Sequence, residues 1–265
     1  MCTTVCTIER RPPILRKSPL VSVAAELRFP EAVLLPQDLK TIRKQLGKEY
    51  PISDTEHGLG FEFSVQGLRQ QQTLQRHVYR TRDGRCVIGL TSTTLVLEVL
   101  GGPDYHGFES FLDQWLTALN VVVGVAEVDT QVRLGLRYIN QVGVDDVSVG
   151  LDAVADRINP ALLSPYRADG FEFAIATSFE ELRLAQGDRR ATLRHGFQAV
   201  PDPSTRAPGE GVYTLDIDVY DDEVKDFDRD GHVEELTDFN FKAWTIFRWS
   251  LTDAEYQRME PEERS

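Results

Sequence analysis

The chain has 265 residues, 41% of them apolar, which suffices for a packed core in one large or two small domains. Its formal net charge of −13 disfavours general nucleic-acid binding, because an acidic surface repels a phosphate backbone. Its longest apolar runs, such as Val121 to Val125, fall far short of the ~20 residues that span a bilayer, and Met1 to Glu9 contains no signal-peptide apolar stretch, so a cytoplasmic location is expected. Cys2, Cys6 and Cys86 are an odd number and give no disulfide framework, and Cys2-x-x-x-Cys6 lacks a second Cys/His pair at zinc-finger spacing.

A basic, proline-bearing leader occupies residues 1–19. Leu20 to Phe29 then alternates cleanly (Val21, Val23, Ala25, Leu27, Phe29) and reads as a strand with one buried face, closed by Pro30. Pro36 suits a first helical turn, and Leu35, Leu39, Ile42 and Leu46 follow at helical spacing up to Gly47. Strands are expected over Leu59 to Gln66, Arg76 to Arg82 and Cys86 to Leu100, with Asp83-Gly84 as a hairpin turn. Phe108, Phe111, Leu112, Trp115, Leu116 and Leu119 form the most regular amphipathic helix of the chain.

From Val132 the order recurs: a strand with Leu134, Leu136 and Tyr138 on one face, a helical segment over Leu151 to Ile158, and strands over Phe171 to Thr177, Arg190 to Val200 and Val212 to Tyr220. A closing helix from Val233 to about Trp249 carries a stripe of Val233, Leu236, Asn240, Ala243 and Phe247. Pro201 to Gly211 reads as a loop. Gly60-Phe61-Glu62-Phe63 recurs as Gly170-Phe171-Glu172-Phe173, and Arg76-His77 recurs as Arg194-His195. The fold expected is α+β: two tandem βαβββα pseudo-repeats, residues 20–130 and 131–250, with antiparallel sheets side by side, helices on one face and a tail at 251–265. Nearly all the acidity lies in the second copy, where Asp216 to Asp238 holds eleven acidic residues against Lys225 and Arg229.

Asp216 and Asp218 are two apart on a strand, so both carboxylates share one face and could bind a divalent metal or act as an acid/base pair. Arg133 and Arg137 share a strand face in the same way and suit either an anion or those two aspartates. Asp226-x-Asp228-x-Asp230-Gly231 matches the opening of a calcium loop, but Thr237 stands where a bidentate glutamate completes such a site, so the run reads more simply as an acidic turn capping a helix. His77 and His195 are of interest as matching residues of the two copies. No nucleophile elbow, phosphate-binding loop or dinucleotide fingerprint is present.

Ser18-Pro-Leu-Val-Ser-Val-Ala-Ala-Glu-Leu-Arg-Phe29, Arg133-Leu-Gly-Leu-Arg-Tyr-Ile-Asn140 and Phe247-Arg-Trp-Ser-Leu-Thr-Asp253 resemble a sporadically distributed bacterial family of proteins of about this length, without an assigned activity. The likeness spans nearly the whole chain. It implies a bacterial protein, accessory or defence-associated, and no mechanism. Asn240 stands where that family tends to carry a histidine, so no role for a histidine transfers.

The function expected is therefore a non-enzymatic binding module without a cofactor, recognising a protein or a small ligand on the polar sheet face or in the cleft between copies, with homo-oligomerisation left open. The rival is a metal-dependent hydrolase using Asp216, Asp218 and the Asp226 to Asp230 loop.

Overall fold

The computed structural model describes residues 11–58, 61–64, 67–70, 74–102, 105–144, 154–163, 177–187, 189–201 and 208–262. The leader contributes a short strand, β1 (Ile14–Leu15), before the alternating segment forms β2 (Leu20–Arg28). Val23, Ala25 and Leu27 of β2 are fully buried, as the alternation requires. Helix α1 (Pro36–Leu46) starts on a proline, whose missing N–H costs nothing there, and the Asp38 carboxylate accepts the Leu35 N–H at 2.8 Å. β3 (Ile52–Gly58), β4 (Phe61–Ser64) and β5 (Gly67–Gln70) follow. After them come β6 (Leu74–Arg80), β7 (Cys86–Leu90) and β8 (Thr94–Leu100). The β6–β7 hairpin turns at Gly84, whose φ of 70° favours glycine. Helix α2 (Phe108–Ala126) buries Phe108, Phe111, Trp115 and Leu119.

The second half begins with β9 (Thr130–Gln131) and β10 (Arg133–Val144), followed by the single turn α3 (Pro160–Leu163). β11 (Glu180–Gln186), β12 (Arg189–Pro201), β13 (Pro208–Asp221) and β14 (Lys225–Asp226) precede the long helix α4 (Arg229–Ser250). α5 (Asp253–Arg258) and β15 (Pro261–Glu262) end the described chain.

Nine of these strands form one antiparallel sheet in the order β11-β12-β13-β10-β2-β8-β7-β6-β3. The halves meet at its centre, where β2 and β10 pair from Arg133↔Arg28 to Asn140↔Leu20 with a bulge at Ile139/Asn140. Helices α2 and α4 cover one face over a core that includes Leu27, Leu97, Leu134, Leu136, Ile217 and Val219, each at 0% exposure. At roughly 1.5–3 kcal/mol per fully buried aliphatic side chain, this layer is the main favourable contribution to folding. The leader and tail join each other: β1 pairs with β15, Ile14 opposite Glu262 and Leu15 opposite Pro261.

Several boundaries differ from the sequence reading, each for a physical reason. The outer strand of the first half is β3, before the Gly-Phe-Glu-Phe stretch; β4 pairs with β5 in a separate hairpin. The second Gly-Phe-Glu-Phe copy lies outside the described residues. Cys86 to Leu100 is two strands, because Thr91, Ser92 and Thr93 form a turn closed by Thr91 N–H to Thr94 O at 2.9 Å. Of the helix expected over Leu151 to Ile158, residues 151–153 lie outside the described residues; Val154 to Arg157 form a turn, Ile158 bridges to Leu251, and Pro160 opens α3. Pairing continues into the expected proline-rich loop as far as Pro201↔Pro208. β11 is a mostly exposed edge strand with charged side chains, and its apolar alternation is only Leu182 and Leu184, too short a signal to mark a strand. Helix α4 begins four residues early, so its buried stripe is His232, Leu236, Phe239, Ala243 and Phe247, with Val233 and Asn240 half-buried.

Candidate functional site

The open face of the sheet collects the charged candidates. Arg133 on β10 donates to Glu26 of β2 at 2.6 Å and to both Asp218 carboxylate oxygens of β13 at 3.0 and 2.8 Å, and it lies 4.7 Å over the Tyr220 ring. One strand pitch along, Arg137 grips Asp216 through Nε and Nη2, both at 2.7 Å. Arg194 of β12 lies 3.7 Å from Asp216 and donates to Glu181 of β11 at 3.0 Å. The register makes this inevitable, since Arg137 sits directly opposite Asp218 and Ile139 opposite Asp216, so long arginines reach the carboxylates diagonally. Burial pushes the Asp218 carboxyl above the usual carboxylate range despite the opposing pull of Arg133. The hydrogen bond to Asp216 raises the Arg137 guanidinium still further, so it stays charged. Toward the far edge Arg76 and Arg80 share Glu56. Both aspartates thus spend their oxygens on arginines.

His77 and His195 face the opposite way, toward the helices, and far apart in the sheet. His77 on β6 lies 3.3 Å from the Thr55 hydroxyl, and burial, then neighbouring His57, depress its pKa. His195 on β12 is 2% exposed, its Nδ1 is 2.7 Å from the Tyr213 hydroxyl, and burial lowers its pKa against the pull of Glu180 at 3.8 Å. Their strands are not counterparts: β6 is three strands out from β2, whereas β12 is two out from β10. The structure therefore brings Arg133, Arg137, Asp216 and Asp218 together and leaves both histidines elsewhere.

The acidic run at 226–230 is a helix start. Asp226 pairs with Thr130 through β14 and β9, the Asp228 carboxylate accepts the Asp230 N–H at 3.1 Å as the cap of α4, and Asp230 lies in the first turn, where the helix dipole favours an anion. Thr237 is helical, its hydroxyl donating to Val233 O at 2.6 Å. Among the described residues, no group of three or more His, Cys, Asp or Glu side chains could hold a metal ion. Cys86 is buried between the Tyr50 hydroxyl at 3.2 Å and the Gln114 carbonyl at 3.1 Å, and burial pushes its thiol up to about 11, far from a reactive thiolate.

On the helix side, a cleft of about 810 Å³ opens where the two halves meet. Its floor is β10 and β13 with Tyr138, Asn140 and Ile217; α2 and α4 form its walls, and the leader from Arg11 to Leu20 lies across it. Phe108, Leu112, Ala243, Trp244 and Phe247 make the walls apolar. Charged residues of the lining, Arg11, Arg16, Lys17 and Glu109, come from the leader and the start of α2, whereas the polar groups of the floor, Tyr138 and Asn140, are neutral. The Tyr138 hydroxyl donates to Asn240 Oδ1 at 2.7 Å, while burial, together with Tyr105 and Glu109, raises its pKa well above the ordinary value. Asn140 is 6% exposed as a residue, and its side-chain amide opens onto the cleft.

Sequence reasoning passed over Tyr105, Tyr138 and Asn140 as site residues. The available signal was the polar Asn140 at an inward position of an otherwise apolar strand face (Leu134, Leu136, Val142), for a buried polar residue is informative where an exposed one is not. Volume, apolar walls and a small number of polar groups are the usual attributes of a small-molecule pocket. Comparison with known protein families gives no match, and no curated protein is similar to the chain.

Proposed function

We propose that the chain is a non-enzymatic binding module that takes a small amphipathic molecule into the cleft between its halves. The observation that carries this reading is the cleft itself, about 810 Å³ with apolar helical walls and the Asn140 amide, of a residue only 6% exposed, on its floor. The Asn140 amide opens onto the cleft, so a ligand with a hydrogen-bonding end would pair with it while its apolar body covers Phe108, Trp244 and Phe247. The two halves would then be diverged copies of one βαβββα unit, with their shared boundary reused as a ligand site. This reading also keeps the protein cytoplasmic and off nucleic acid, since the arginines of the open face are already paired with carboxylates. The hydrolase alternative has no comparable support, because Asp216 and Asp218 are both clamped by arginines.

Calorimetric titration with 1-decanol and with decanoate tests it. Saturable heat from at least one of them is expected, together with its loss in Thr237→Trp, which adds an indole on an exposed position of the α4 wall. Absence of saturable heat with both probes would end the proposal.

A further inference from the structure

The cleft has a polar end, and its chemistry is specific. Helix α2 enters the cleft by its N-terminus: Gly107, Phe108 and Glu109 line it. The residue at the cap position is Gly107, with φ of 96° and no side chain, so no side-chain hydrogen bond closes the first turn. Across nineteen residues the aligned peptide dipoles place roughly half a positive charge there. A helix start alone is not a site. Here it opens onto the same space as the Asn140 amide, which belongs to a residue 6% exposed, lines the cleft and makes no side-chain hydrogen bond to the described residues.

The two features are neighbours in the fold. Tyr105, two residues before the cap, interacts with Tyr138, which is two residues before Asn140 on the same face of β10. The leader adds Arg11, Arg16 and Lys17 to the lining, while Glu109 is the acidic residue of the α2 first turn. Resting on the cleft being a ligand site, we infer that its occupant is a single-chain anionic amphiphile, a monocarboxylate in the simplest case. The carboxylate sits between the first turn of α2 and the Asn140 amide, and the chain runs between Leu112 and Trp244. A carboxylate is the group that both features favour: the helix end supplies positive potential and N–H groups directed out of the first turn, and the amide nitrogen donates a charge-assisted hydrogen bond.

The test compares two ligands of equal chain length, decanoate and 1-decanol, by calorimetry at neutral pH. The expected result is a preference for decanoate of about tenfold, the size of one helix-end and amide contribution in a partly buried setting. In Asn140→Leu, which keeps side-chain volume and removes the donor, the decanoate-to-decanol ratio falls toward one. In Glu109→Gln, which removes the competing negative charge, the ratio rises. Circular dichroism and the urea midpoint verify that each variant is folded before its ratio is read. If both ligands bind wild type equally, or 1-decanol binds better, the anion assignment is overturned and the cleft remains a ligand site. If neither binds, the cleft reading itself is wrong and the anion assignment falls with it.

Discussion

The two faces of the nine-stranded sheet treat polar groups in opposite ways. On the open face, Arg133, Arg137 and Arg194 are tied to Glu26, Asp218, Asp216 and Glu181, so a dense charged surface is internally satisfied. On the helix face, the helical walls of the cleft are apolar, and the Asn140 amide on its floor makes no side-chain hydrogen bond to the described residues. Counting charges points to the first face as a binding surface. Counting unmet hydrogen bonds points to the second, and this is the better guide, because a ligand gains little by competing with salt bridges already in place.

The largest effect should come from breaking the open-face network. Arg133→Ala leaves both Asp218 and Glu26 half-buried without their shared cation, for side-chain exposures of 16% and 25%. A loss of about 3–5 kcal/mol in urea unfolding is expected, with most of it recovered in Arg133→Met, Asp218→Leu, where the charge and its partner leave together. An Arg133→Ala variant as stable as wild type would show that this face is a solvated surface and not a structural network.

The helix side should respond to acid instead. His232 is 1% exposed, donates through Nε2–H to Gln131 Oε1 at 2.7 Å, and stacks near Trp115. Burial lowers its pKa from 6.5 to about 4, so the folded state keeps it neutral while the unfolded chain takes up a proton below pH 6.5. Stability is therefore fully present above pH 6.5 and falls as the pH drops toward 4, by on the order of 3 kcal/mol. His77 and His195, lowered by burial as well, act in the same direction. The slope of urea stability between those pH values should shrink in His232→Gln; an unchanged slope would assign acid sensitivity to other groups.

How far the sequence revealed this comparison depends on what each signal encodes. Alternation in Val23, Ala25 and Leu27 and helical spacing from Phe108 to Leu119 report burial directly, and β2 and α2 follow them. The pairing of Arg133 and Arg137 with Asp216 and Asp218 was legible because side-chain parity on two strands needs only their adjacency. By contrast, β3 (Ile-Ser-Asp-Thr-Glu-His-Gly) is polar along its length and gains its strand state from pairing with β6, which no local pattern encodes. The cleft was hidden for a related reason: Tyr105, Asn140, Asn240 and the leader come from four separate segments, and only the β2–β10 junction and the β1–β15 pair bring them together.

The smallest effect concerns the leader over the cleft. It is held by a two-residue pairing with β15 and by Arg16 to Glu262 and Lys17 to Glu260, ion pairs whose side chains are roughly half to two-thirds exposed. Exposed pairs of this kind contribute little to stability and are screened by salt. Arg16→Ala, Lys17→Ala should accordingly leave the urea midpoint unchanged while speeding decanoate release several-fold in stopped-flow displacement, since the leader must swing aside for a ligand beneath it to leave. Raised salt should speed release from wild type and do less to the variant. Identical release rates in the two proteins would place the ligand's route elsewhere in the cleft, away from the leader, even with its binding site on the Asn140 floor intact.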